Sequence, residues 1–252
     1  MAAFTGFSRQ TKGPGLLLIH GFPLDHRIWT DVISRLPATI DLFAPDLPGC
    51  GGSGLPETTW TIDEYARHLL RLMDFRGFQK FFVAGHSMGG YILFALLRLA
   101  PDRIAGGALV SSRALADTEE GRKTRETVAQ RAEKEGTEFL ATTMPEKAVG
   151  TQPPPGVVDT LRSIIREAQP KGVAAAARAM ATRPDATPHL GAISCPIVVF
   201  AGRQDKIVPN AESEAMAKGI PGARLVWCER SGHVPMLEEP DLIAHGLSAL
   251  VS

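Results

Sequence analysis

The sequence predicts an α/β fold: a mostly parallel sheet with helices on both faces and a block of helices inserted between two of its strands. Three observations lead there. Over residues 15–112, apolar runs of strand length alternate with segments of helical period, the pattern of parallel strands joined by helical crossovers. Over residues 113–190 no strand-like run occurs, while helical segments and prolines do. From residue 195 the alternation resumes and closes on an amphipathic helix. The simplest division is one core, residues 1–112 and 191–252, carrying residues 113–190 as a helical lid.

Each element has a local reason. Residues 3–9 read as a short edge strand. Residues 15–20 are a continuous apolar run closed by Gly21, as expected of a strand covered on both faces. Asp25 is placed to cap a helix over residues 26–36, which Pro37 stops. Residues 40–45 read as the next strand, and residues 46–54, rich in Gly and Pro, as a loop. Thr61 and Glu64 form a capping box for a helix whose apolar positions, Ile62, Tyr65, Ala66, Leu69, Leu70 and Met73, recur at helical spacing up to Gly77. Residues 80–84 are a buried strand, residues 91–100 a helix ended by Pro101, and residues 104–112 a strand. In the insertion, residues 118–136, 137–143, 157–169 and 172–182 read as helices, separated by Pro153-Pro154-Pro155 and Pro170. Strands then fall at 195–202 and 223–228, with a helix at 211–218 between them and a closing helix at 240–251.

Composition narrows the class of function. Hydrophobic residues make up 44% and charged residues 21% of 252, ordinary for a globular enzyme. Lys plus Arg equals Asp plus Glu at 27 each, so no field draws in nucleic acid or anionic lipid. The first residues lack the apolar segment of a signal peptide, and the most apolar helix, residues 91–100, is too short to span a bilayer. The three cysteines, Cys50, Cys195 and Cys228, are scattered without metal-ligand spacing, which fits a reducing cytoplasm and small, partly or wholly buried thiols.

The chemistry gathers at strand ends. Gly85-His86-Ser87-Met88-Gly89 fits Gly-x-Ser-x-Gly, a sharp strand-to-helix turn that lifts a serine hydroxyl above the sheet. Asp205 follows a second predicted strand and His233 a third, and strand ends of open α/β sheets are where ligands sit. A serine hydroxyl needs a base to take its proton as it attacks, which His233 would supply, with Asp205 fixing the imidazole tautomer. Of the seven histidines, His20 and His86 also fall at strand ends, but His86 adjoins Ser87 at a tight turn, where neighbours point apart. Asp117 is the alternative acid; Asp25 and Asp46 read as cap and turn groups. Charge building on a carbonyl oxygen wants fixed N–H donors. The Met88 N–H and, from the loop His20-Gly21-Phe22-Pro23, the Phe22 N–H are placed to form that oxyanion hole. The side chains of Phe22 and Met88 would then wall a substrate pocket. No metal and no cofactor is called for.

Taken together, His20-Gly21-Phe22-Pro23, Asp46-Leu47-Pro48-Gly49 with Ser53, Gly85 to Gly90, Gly202-x-x-Asp205 and Gly232-His233 resemble the α/β-hydrolase superfamily in order and spacing. The resemblance implies an eight-stranded type of sheet and a Ser87–Asp205–His233 triad. Within the superfamily the chain looks most similar to small carboxylesterases and 3-oxoadipate enol-lactonase-like serine hydrolases, a likeness shared by the segment Arg178 to Asp185. Dehalogenases and epoxide hydrolases carry aspartate where Ser87 stands. Carbon–carbon hydrolases usually have Asn and Trp at the positions of His86 and Val234. Proline iminopeptidases typically have Trp at that of Met88. Cys50 departs from the histidine common in its loop. The expected activity is cleavage of a small-molecule ester through an acyl-enzyme. Lactone hydrolysis and cofactor-free haloperoxidase or perhydrolase chemistry are alternatives, and a non-catalytic small-molecule receptor is a remote one. The expected assembly is a monomer or homodimer, with neither nucleic acid nor membrane as partner.

Overall fold

A computed structural model of the chain describes residues 5–55, 58 and 60–252. Strand β1 (Gly6–Arg9) is the edge strand; residues 3 and 4 of the expected strand lie outside the described residues. β2 (Gly15–Ile19) leads through a 3₁₀ turn (His26–Trp29) into α1 (Thr30–Arg35), then β3 (Asp41–Pro45) and α2 (Ile62–Phe75). β4 (Phe81–His86), α3 (Met88–Leu99) and β5 (Ile104–Val110) complete the first half. Five helices follow without a strand between them: α4 (Glu119–Glu135), α5 (Glu138–Thr143), α6 (Pro145–Ala148), α7 (Val157–Glu167) and α8 (Pro170–Ala181). The chain then returns to the sheet with β6 (Ile197–Gly202), α9 (Asn210–Gly219), β7 (Arg224–Cys228), α10 (Pro235–Glu238) and α11 (Pro240–Val251).

The strands lie in the order β1-β3-β2-β4-β5-β6-β7. Among the described residues only β1 runs antiparallel, and every other pairing is parallel. Among the described residues the sheet has seven strands, one fewer than the eight-stranded type, because a single antiparallel strand forms its β1 edge. The spatial order reverses between β2 and β4, and such a switch point opens a crevice at the carboxyl ends of the strands. Leu16 to Ile19 and Leu109 to Val110 are fully buried, since helices cover both faces of the sheet. The apolar stripe of α2 buries Ile62, Tyr65, Ala66, Leu69 and Met73, and each large side chain contributes roughly 1.5–3 kcal/mol. The Thr61–Glu64 capping box is present in both directions.

Several boundaries differ from expectation for identifiable reasons. Asp25 does cap its helix, but it accepts from both the Arg27 N–H and the Arg27 guanidinium, and the first turn is 3₁₀ rather than α. Helix α3 begins at Met88, ahead of its apolar run, because it starts directly from the turn at Ser87. Pro170 opens α8 instead of separating helices; proline lacks the N–H that the first turn leaves unused anyway. β6 starts at Ile197, after Pro196, whose carbonyl still accepts from Gly107.

Candidate active site

The switch point decides what meets what. β4 delivers Ser87, with the loop after β2 on one side and β5, β6 and β7 on the other. Ser87 sits at φ 50°, ψ −109°, a conformation that non-glycine residues rarely adopt. The turn is locked from several directions. The Ser87 N–H donates to Val110 O at 2.9 Å, the Gly90 N–H to Ser87 O at 2.9 Å, and the Ser112 hydroxyl to Ser87 O at 2.8 Å. Glycine is required beside it: a Cβ on Gly85 would overlap the Gly89 carbonyl, and one on Gly89 the Ile19 carbonyl.

Ser87 Oγ lies 3.0 Å from His233 Nε2, and His233 Nδ1 lies 2.8 Å from Asp205 Oδ2. The three side chains come together from 87, 205 and 233 in the sequence. The His233 and Asp205 side chains are each 3% exposed, whereas Ser87 is only half-buried. Asp205 ends a turn closed by its N–H to Gly202 O (3.2 Å), and its Oδ1 accepts from the Ile207 and Val208 N–H groups at 2.7 and 3.0 Å. Burial works against the Asp205 charge, but His233 and those two N–H groups hold the carboxyl below its ordinary range. The acid is therefore ionised where it faces the imidazole. An ionised carboxylate fixes Nδ1 as the protonated nitrogen and leaves the Nε2 lone pair facing the Ser87 hydroxyl.

The remaining histidines and acids do other work. His20 Nε2 accepts from the Leu47 N–H at 2.9 Å, so its Nδ1–H is the donor to Gly21 O at 3.0 Å; burial lowers its pKa and keeps it neutral. His86 Nε2 donates to the His233 carbonyl at 2.9 Å, while its Nδ1 is buried without a partner among the described residues. Burial, then the neighbouring His233, pushes its pKa down to about 3. His20 thus braces the loop after β2, and His86 braces the loop of His233. Asp117 pairs with Arg183 (2.9 Å) and Arg125 (3.1 Å), which hold its carboxyl low against burial. It is engaged away from the imidazole.

Among the described residues, no acceptor is hydrogen-bonded to the N–H of Phe22 or Met88. The Met88 N–H is the first of α3, where the helical ladder leaves donors unused. Gly21 permits the close approach of the two loops: its Cβ would lie 2.5 Å from His86 Nδ1. The Phe22 side chain is 8% exposed and that of Met88 fully buried. A cavity of about 640 Å³ lies further along α3, lined by Tyr91, Phe94, Arg113, Arg183, Ile193 and Cys195 among others, and neither Ser87 nor His233 lines it.

Asp25, His26 and Asp46 are close enough to hold a cation, with ligand atoms within 4.8 Å of one another. Their acceptors are already engaged. Asp46 takes the His26 ring nitrogen (2.6 Å), the His26 N–H (3.0 Å), the Thr5 hydroxyl (2.6 Å) and the Gly52 N–H (3.2 Å), and Asp25 takes Arg27. These are the turn and cap groups the sequence suggests. Cys50 and Cys228 are buried and Cys195 half-buried, all unpaired. Burial, with Asp46 and Asp25 nearby, pushes the Cys50 thiol up to about 12, far from a thiolate nucleophile. Ser112, Gln204 and Glu238 were not legible in the sequence, because a polar side chain whose partner lies far along the chain, whether buried as Ser112 and Glu238 are or half-buried as Gln204 is, leaves no periodic signal.

An open sheet with its switch point at a strained serine, backed by histidine and aspartate from later strands, belongs to a known class. The chain is a member of the alpha/beta hydrolase fold family, whose model matches residues 14–240. A pimeloyl-acyl-carrier-protein methyl ester esterase of Nitrosomonas europaea is 27% identical over 247 residues, spanning 95% of this chain and 96% of that protein. An esterase of Thermogutta terrifontis, solved with malate bound, superposes with a TM-score of 0.94 at 37% identity, over 100% of this chain and 94% of the other. The enol-lactonase of Burkholderia xenovorans LB400 matches with a TM-score of 0.88 at 24% identity over 99% and 95% of the two chains, a likeness of fold alone.

Proposed function

We propose that this protein is a serine hydrolase of small carboxylic esters that works through an acyl-enzyme on Ser87. The observation that carries the reading is the relay from Ser87 Oγ to His233 Nε2 at 3.0 Å and from His233 Nδ1 to Asp205 at 2.8 Å. Ser87 Oγ attacks the ester carbonyl while His233 takes its proton. The negative charge that moves onto the carbonyl oxygen meets the N–H groups of Met88 and Phe22, donors that have no other acceptor among the described residues. Collapse of the intermediate breaks the bond to the alkoxy group, which leaves with the proton from His233. Water then repeats the cycle: His233 takes its proton, the acyl–serine bond breaks, and Ser87 recovers its hydrogen.

Residues 113–190 are the proposed lid. Two anchors support this. Gln169 Nε2 donates to Gly51 O and Ser53 O at 3.2 and 2.8 Å, and Gly172 in α8 packs on Gly49 too closely for any side chain. Residues 148–151 meanwhile run beside His233. Three unpaired thiols fit a reducing compartment, for which we propose the cytoplasm. Among the described residues no helix is long and apolar enough to cross a membrane.

Turnover of p-nitrophenyl esters of increasing acyl length, beside enol-lactone and peracid-forming assays, tests the substrate class. Turnover of at least one of the p-nitrophenyl esters is expected. Turnover confined to the lactone would shift the assignment to lactone hydrolysis, and no turnover of any acyl substrate would contradict it.

A further inference from the structure

Residues 148–151, from the last residue of α6 into its link to α7, lie along the loop that carries His233, and three hydrogen bonds hold them there. The His233 N–H donates to Ala148 O at 2.6 Å, the Gly150 N–H to Glu238 Oε1 at 2.7 Å, and the Thr151 N–H to Gln204 Oε1 at 2.7 Å. The second oxygen of Glu238 accepts from the Gly232 N–H at 2.8 Å. One carboxylate, in a residue only 6% exposed, therefore receives one N–H from the insertion and one from the residue just before His233. The backbones are close enough to demand glycine on both sides. A Cβ on Gly232 would lie 2.5 Å from the Val149 carbonyl carbon and 2.8 Å from the Gly150 nitrogen, and one on Gly150 would overlap Arg230 O. Glu239 continues the pattern, accepting from the Arg230 N–H at 3.0 Å and the Ser231 hydroxyl at 2.6 Å.

We propose that Glu238 is a positioning residue for the base: its two oxygens tie the His233 loop to residues 148–151, so that imidazole alignment and the seating of the insertion are set together. The proposal rests on the reading of Ser87 as nucleophile. Burying a carboxylate is costly unless hydrogen bonds answer it, and here each oxygen is answered by a backbone N–H. Burial pushes the Glu238 carboxyl up, the Gly150 and Gly232 N–H groups oppose the rise, and Glu239 and Asp205 add to it. Only the ionised form offers an acceptor to both N–H groups. A glutamine of the same shape offers one and turns an NH₂ against the other.

Fluorophosphonate labelling of wild type and Glu238→Gln, with the rate of adduct formation at Ser87 followed by mass spectrometry, tests this. Misplacing a reacting group by about 1 Å costs on the order of 10²-fold, so the variant is expected to label roughly 10- to 100-fold more slowly, with unchanged circular dichroism. Equal rates in the two proteins overturn the positioning role alone. A wild type that takes no adduct at Ser87 overturns the nucleophile reading and this proposal with it. Hydrogen–deuterium exchange of the wild type needs no variant to fold. The Gly150 and Gly232 amides are expected to be protected together, and free exchange at both overturns the proposal.

Discussion

Among single residues, the site is distinguished by which polar groups remain available to react. His20 and His86 stand at strand ends as Ser87 does, yet each commits its ring to a neighbouring backbone, whereas His233 faces Asp205 and Ser87. Asp117 is paired with two arginines. The two acids therefore predict opposite signatures. Asp205→Asn should lower kcat by on the order of 10⁴-fold with a modest change in stability. Asp117→Asn should leave turnover nearly intact and lower stability by about 3 kcal/mol, because Arg183 loses its buried counter-charge. Steady-state kinetics beside urea melts separate them, and the reverse order of damage to turnover would reassign the acid. His86 predicts a pH signature. The unfolded chain binds its proton near pH 6.5, whereas the folded protein refuses it down to about pH 3. The unfolded state thus binds more protons in that window, so the contribution is complete above pH 6.5 and fades as pH falls toward 3. His20 acts in the same sense, and His26, raised by its bond to Asp46, in the opposite one. His86→Asn should flatten the acid limb of a plot of urea midpoint against pH; an unchanged slope would count against a buried neutral ring. Ser87, Asp205 and His233 were legible because each follows an apolar run at a glycine-bearing turn. The bracing role of His86 was not, because its partner is the carbonyl of His233, 147 residues away.

At the scale of elements, the turn from β4 into α3 shows packing overruling propensity. Alanine is a better helix former than glycine by about 1 kcal/mol, so propensity alone favours Gly89→Ala. Its Cβ would overlap the Ile19 carbonyl and lie 3.0 Å from the His20 carbonyl, backbone that cannot yield without moving β2. Overpacking of this kind costs roughly 1–3 kcal/mol or more, so the variant should melt below wild type. Gly191→Ala, where the new Cβ meets nothing within 4 Å, should melt close to it. A Gly89→Ala variant that melts above wild type would contradict the close approach. Long elements with one apolar face, such as α2 with its capping box, were plain in the sequence. The four-residue helices α6 and α10 were not, because barely one turn carries no period.

For the molecule as a whole, topology turns scattered residues into one site. β4 lies between β2 and β5, so the loop after β2 flanks Ser87 on one side while Asp205 and His233, from the loops after β6 and β7, approach it from the other. The alternation of strands and helices made that arrangement readable before the strand order was known. The insertion was less readable, because its helices bury ordinary apolar faces whose spacing carries no mark of a ligand. The central claim is that Ser87 is the nucleophile. Its most direct test is treatment of the folded protein with a fluorophosphonate, followed by proteolysis and mass-spectrometric mapping. A single adduct on Ser87, absent from Ser87→Ala of the same fold, is the predicted result. An adduct on another residue, or none in folded wild-type protein, would contradict it.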